Sequence, residues 1–136
     1  MLERKTIISE KVIALFNSRK KPITAISILK KLKEKELSPN LSTIYRILNK
    51  LIDKKFINEI KTNSKESYYE KNQKKHHHHF ICNICKVISC LKSCFIQTQK
   101  INLSNLLPNK NYEIQSHDFN IYGTCDNCAT KATSHA

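Results

Sequence analysis

The sequence predicts an α+β chain in two unlike parts: three helices and a β-hairpin, then a smaller mixed α/β part held together by metal. Three observations carry this reading. Apolar residues recur at helical spacing three times before two short alternating runs. All six cysteines and all six histidines lie at or after position 76. Four of those cysteines form two Cys-x-x-Cys pairs, Cys82/Cys85 and Cys125/Cys128.

The first helix is expected to start at Ser9 as N-cap, with Ile8, Val12, Leu15 and Phe16 on one face and the polar run Asn17 to Lys21 before Pro22 as its end. Thr24 caps a second helix whose Ile28, Leu29 and Leu32 oppose Lys30, Lys31, Lys33 and Lys35, and Ser38-Pro39-Asn40 breaks it. A third helix from about Asn40 to Ser42 buries Ile44, Ile47, Leu48, Leu51 and Ile52. Phe56 to Ile60 and Ser67 to Glu70 alternate as two strands joined through Asn63 and Ser64. Three helices followed by such a hairpin is the order of a winged helix-turn-helix.

Beyond the boundary near Lys71 to Lys75, His76 to Cys82 and Val87 to Cys90 read as strands flanking the Cys82-Asn83-Ile84-Cys85 turn. Phe95 to Leu107 reads as a helix stopped by Pro108 and Asn109, and Tyr112 to Ile114 and Phe119 to Tyr122 as further strands. A part this short and this poor in apolar residues needs a metal staple, a partner subunit or both.

Composition narrows the function. With 24 Lys and Arg against 11 Asp and Glu, the net charge is +13, so the chain's field attracts polyanions. The charge is spread over both parts: 16 basic against 8 acidic residues up to Glu70, and 8 against 3 beyond it. The single glycine, Gly123, excludes glycine-rich phosphate loops and the nucleotide-dependent enzymes that use them. No apolar run is long enough to span a membrane and the N-terminus lacks a signal-peptide core, so a soluble, cytoplasmic protein is expected.

Two residues between thiolates let both sulfurs reach one ion, so Cys82, Cys85, Cys125 and Cys128 read as a closed four-sulfur structural zinc site. In the tract His76-His77-His78-His79, strand alternation sends His77 and His79 to one face and His76 and His78 to the other. The tract can therefore feed two metals, and imidazole alone does not name them. The polar face of the third helix, with Ser42, Thr43, Tyr45, Arg46 and Asn49, suits a DNA major groove, while Lys11 is placed for the phosphate backbone.

Three stretches resemble the ferric uptake regulator family of bacterial metal-dependent repressors. They are Leu41-Ser42-Thr43-Ile44-Tyr45-Arg46-Ile47-Leu48, the histidine tract running through Phe80-Ile81 into Cys82-Asn83-Ile84-Cys85, and Ile121-Tyr122-Gly123-Thr124-Cys125-Asp126-Asn127-Cys128. The resemblance implies a winged-helix DNA-binding domain (1–70), a hinge (71–75) and a zinc-stapled dimerisation domain (76–136). It further implies a homodimer, an AT-rich palindromic double-stranded DNA operator, and a regulatory Fe2+ or Zn2+ beside the structural Zn2+. Glu70, His77 and His79 match three of the family's regulatory ligands. Where a fourth, a histidine before the second helix, is expected, this chain has Pro22, so Cys90 or Ser89 is left to complete the site. A further site of the family corresponds to His76, His78 and His117, without its usual acidic partner, because no Asp or Glu occurs from Lys71 to Tyr112. That loss of oxygen ligands shifts preference toward zinc. Cys94 has no counterpart and reads as a buried apolar thiol.

The expected function is a metal-responsive DNA-binding repressor controlling iron or zinc uptake, a binding protein with no small-molecule substrate and no membrane. The alternatives are a peroxide-sensing repressor of the same family and a non-regulatory zinc module that binds RNA or proteins. A zinc hydrolase needs an open coordination position in a substrate pocket, which ligands committed to a domain hinge do not offer.

Overall fold

The first unit, Met1–Gln73, buries its apolar side chains in one cluster contributed by all three helices and the hairpin; the second is Lys74–Ala136. The computed structural model describes residues 2–19, 21–72, 77–91 and 93–134. Helix α1 spans Leu2–Ser18 and so starts well before Ser9, which is not its cap. No breaker stands in Leu2 to Ile8, so the helix runs on through the polar residues there. It buries Ile8, Val12 and Phe16.

Thr24 does cap α2 (Ala25–Glu34): its hydroxyl oxygen accepts the Ser27 N–H at 3.1 Å. Ile28 and Leu32 are inaccessible on its inner face. Helix α3 (Leu41–Asp53) starts from Asn40, whose carbonyl accepts the Thr43 and Ile44 N–H groups, and buries Ile44, Leu48 and Leu51. Apolar residues three and four apart thus hold one stripe inside and leave the polar stripe outside.

Strand β1 (Ile23–Thr24) joins the hairpin strands β2 (Ile57–Ile60) and β3 (Tyr68–Lys71) in an antiparallel sheet of order β1-β3-β2. The hairpin lies where the alternation placed it. The two-residue β1 is too short to show a period, yet Ile23 opposite Tyr69 ties the start of α2 to the sheet.

In the second unit β4 (His79–Cys82) is central, antiparallel to β5 (Ile88–Cys90) and parallel to β6 (Asn120–Gly123). The single long helix expected over Phe95 to Leu107 is broken. Helix α4 covers only Phe95–Thr98, Lys100 takes a left-handed φ of 51°, and the Ile101 N–H turns back to the Ile96 carbonyl. Asn102 then caps a separate 3-10 turn, Leu103–Leu106, through the Ser104 N–H. Tyr112 to Ile114 is not a strand. Helix α5 (Asp126–Ser134), which apolar periodicity does not reveal, follows Cys125.

Among the described residues the buried apolar side chains of this unit are Ile81, Ile88 and three cysteines, Cys82, Cys94 and Cys128. So small an apolar core leaves cohesion to the polar and sulfur-bearing groups. No described helix is long and apolar enough to cross a membrane.

Candidate metal centres and nucleic-acid interface

The end of β4 and the start of α5 each present a Cys-x-x-Cys knuckle. After Cys82 the chain turns back, with the Lys86 N–H on the Cys82 carbonyl and the Cys82 N–H on the Val87 carbonyl, and Lys86 takes a left-handed φ of 66° to close the turn. The parallel register sets Cys82 beside Gly123, whose carbonyl accepts the Asn83 N–H at 2.8 Å. A Cβ at Gly123 would meet the Phe80 ring at 3.2 Å, so the absent side chain is what lets the ring lie against β6 there. Two residues on, Cys125 enters the second knuckle.

All four Sγ atoms lie within 4.8 Å of one another, and Cys85 and Cys125 are 3.7 Å apart. A tetrahedral zinc–thiolate site with bonds of about 2.3 Å has S···S edges of about 3.8 Å, so the cluster fits structural zinc. The Cys125 N–H donates to the Cys82 sulfur at 3.4 Å. That bond first, and the Cys85 N–H next, pull the Cys82 thiol down to about 6 although the residue is fully buried. Burial, followed by hydrogen bonding within the cluster from Cys125, pushes Cys128 up to about 12. One sulfur is thus prepared as a thiolate, and another sheds its proton when metal binds.

The histidine tract divides as a strand requires. His77 and His79 have ring centroids 4.7 Å apart, and their ligand atoms and the Cys90 sulfur all lie within 4.8 Å of one another. Cys90 reaches this group because it is the register partner of His79, whereas Ser89 is opposite Phe80 and faces the other side of the sheet. Glu70 is in the first unit, buried on β3 opposite Asn58 of β2.

On the other side of the tract, His78 packs with Cys94 and His117. Cys94 Sγ is 3.3 Å from His78 Nε2 and 3.2 Å from His117 Nε2. Cys94 is buried, as expected, but its surroundings are two imidazoles and not an apolar core alone; sequence reasoning missed it because residues 78, 94 and 117 share no local spacing. His76 lies outside the described residues.

On α3, Ser42, Tyr45, Arg46 and Asn49 are exposed and Thr43 half-buried, and Lys11 is exposed on α1. Arg46, Lys50 and Lys54, at successive turns of α3 and just past its end, line a groove with Ser9 and Ile13 of α1. The sequence reading left Lys54 out because it follows the last apolar position of the helix.

Residues 4–122 match the sequence profile of the ferric uptake regulator family. The ferric uptake regulation protein of Campylobacter upsaliensis is 28% identical over 110 residues, covering 79% of this chain and 69% of that protein. The ferric uptake regulator of Francisella tularensis, solved with iron, superposes with a TM-score of 0.75 at 28% identity, over 90% of this chain and 91% of that one. A structure described as that of prokaryotic transcription factors gives 0.73 at 29% identity, over 88% and 93% of the two chains. The four-sulfur cluster, the divided histidine tract, the fold and these likenesses agree: the chain belongs to the ferric uptake regulator family.

Proposed function

We propose that this chain is a homodimeric, zinc-responsive transcriptional repressor that binds an AT-rich palindromic DNA operator and controls metal uptake. The observation that carries the choice of zinc is the convergence of His77, His79 and the Cys90 thiol, because a thiolate in place of an oxygen ligand favours zinc over iron(II). Glu70, buried near the end of the hairpin, is the proposed fourth ligand; of the hinge expected over residues 71–75, Lys71 ends β3 and residues 73–75 lie outside the described residues.

Ligation by Glu70 together with the histidines and Cys90 makes the orientation of the two units depend on metal. In a two-fold dimer that orientation sets the separation of the two α3 helices, and half-sites on DNA accept only separations matched to the helical repeat. Metal then controls DNA binding without touching DNA. Dimerisation is supported by the edge strand β6 with Ile121 exposed, and by Phe95 and Leu106, which are 62% and 80% exposed. The net charge of +13 and the cationic groove on α3 support DNA as the partner.

The test is selection of bound sequences from a random duplex library with added zinc and, anaerobically, with iron(II). The expected result is a palindrome enriched with zinc and not with iron. Enrichment with iron(II) alone would assign an iron sensor, and enrichment independent of metal would exclude the mechanism.

A further inference from the structure

We propose that the groove between α1 and α3 is a binding site for an aliphatic carboxylate of medium chain length, and that this ligand and the operator exclude each other. The ligand site stands on the first unit alone; the exclusion rests on the proposed DNA-binding function.

The groove is built from three rows of side chains. Arg46, Lys50 and Lys54 form one row on α3 and Thr43, Ile47 and Leu51 the next, each at spacings of four, while Ser9 and Ile13 make the facing row on α1. At 1.5 Å per residue the cationic row follows α3 for about 12 Å. The three cations are exposed, Ile13 and Ile47 half-buried and Leu51 buried, so charge stands at the rim and apolar surface at the floor. The groove holds about 200 Å³, below the roughly 300–1,000 Å³ of drug-sized ligands and enough for a small one.

The rim selects an anion. Among the described residues no carboxylate pairs with Arg46, Lys50 or Lys54, and the neighbouring acids Glu10 and Asp53 do not line the groove. A carboxylate at this rim takes up charge-assisted hydrogen bonds from groups that otherwise face one another and water. The floor selects the rest of the molecule. Phosphates of a duplex satisfy the rim and leave Ile13, Ile47 and Leu51 uncovered, whereas an alkyl chain buries its own apolar surface against them. No aromatic ring lines the groove, and its course along a helix suits an extended chain rather than a flat ring. Arg46 belongs both to this rim and to the face of α3 proposed for DNA. An occupied groove engages its guanidinium and lowers the positive charge offered to phosphates, so ligand and operator are negatively linked.

The test uses the full zinc-loaded chain and three probes, octanoate, octanol and inorganic phosphate, with backbone amide shifts followed by NMR in the absence of DNA. Octanoate should bind saturably, with shifts concentrated around Ile13, Ile47 and Leu51. Octanol, lacking the charge, and phosphate, lacking the chain, should each bind at least about fivefold more weakly, and Lys50→Ala/Lys54→Ala should weaken octanoate to a similar degree. Both lysines are exposed, so that variant keeps its fold. Octanol or phosphate binding as well as octanoate, shifts centred on the exposed apolar residues of the second unit, or an undiminished affinity in the double variant each overturns the site. Saturating octanoate should also raise the midpoint of operator binding by about tenfold, and by far less in the double variant. Operator binding unmoved by octanoate that fills the groove overturns the exclusion. A ligand-free wild type that selects no duplex defeats the DNA-binding reading instead, and the amide shifts still decide the site.

Discussion

His79 and Cys90 face each other across the β4–β5 ladder, so a thiol stands beside an imidazole on the side of the sheet that also receives His77. This pairing turns a histidine tract of open metal preference into a set with a thiolate. Cys90→Ser is expected to weaken the zinc response of operator binding by about tenfold or more, roughly 1.4 kcal/mol, and to leave metal-free binding unchanged. His77→Ala should abolish the response. Zinc and anaerobic iron(II) titrations of operator binding check both, and an undiminished zinc response in His77→Ala rules the site out.

Removing one thiolate from the four-sulfur cluster should release zinc and unfold the second unit. The unit's buried apolar core is small, and structural zinc contributes on the order of 10 kcal/mol or more to folding. Cys125→Ser should therefore lose one zinc per chain and the corresponding melting transition, by elemental analysis and circular dichroism. Retention of both would sink the assignment.

Contacts from α3 and α1 should separate by kind. Tyr45→Ala is expected to relax preference at a thymine-rich operator position by about 1–3 kcal/mol, since a base-edge contact carries sequence information. Lys11→Ala should weaken all duplexes alike and reduce the salt dependence. Quantitative binding to operator and scrambled duplexes at several salt concentrations distinguishes the two, and wild-type discrimination by Tyr45→Ala would show that α3 does not read bases.

Tyr69 gives the first unit an alkaline limit. Burial first, then the Glu59 carboxylate opposite it and Tyr45, push its phenol from 10.0 up to about 12. The unfolded chain therefore releases this proton at lower pH than the folded one. Its contribution is fully present below pH 10 and is lost as the pH rises toward 12. Tyr69→Phe should flatten the fall of the first unit's melting temperature across that window; an identical slope in both proteins would refute the assignment.

Local chemistry determined much of this protein from sequence alone. The cap at Thr24, the apolar stripe of α3, the hairpin and both Cys-x-x-Cys knuckles are legible because each depends on residues a few positions apart. Helix α1 and the broken segment after Phe95 show the limit of that reading. Helix propagation through polar residues leaves no mark at Ser9, and a left-handed Lys100 can end a helix with no glycine or proline to announce it. Only tertiary structure decided how the sulfurs and imidazoles are shared. Register brought Cys90 rather than Ser89 to His79, and packing brought Cys94 between His78 and His117, from positions no sequence period connects. A metal site is made of atoms a few ångströms apart in space, and only folding brings such distant residues within that reach.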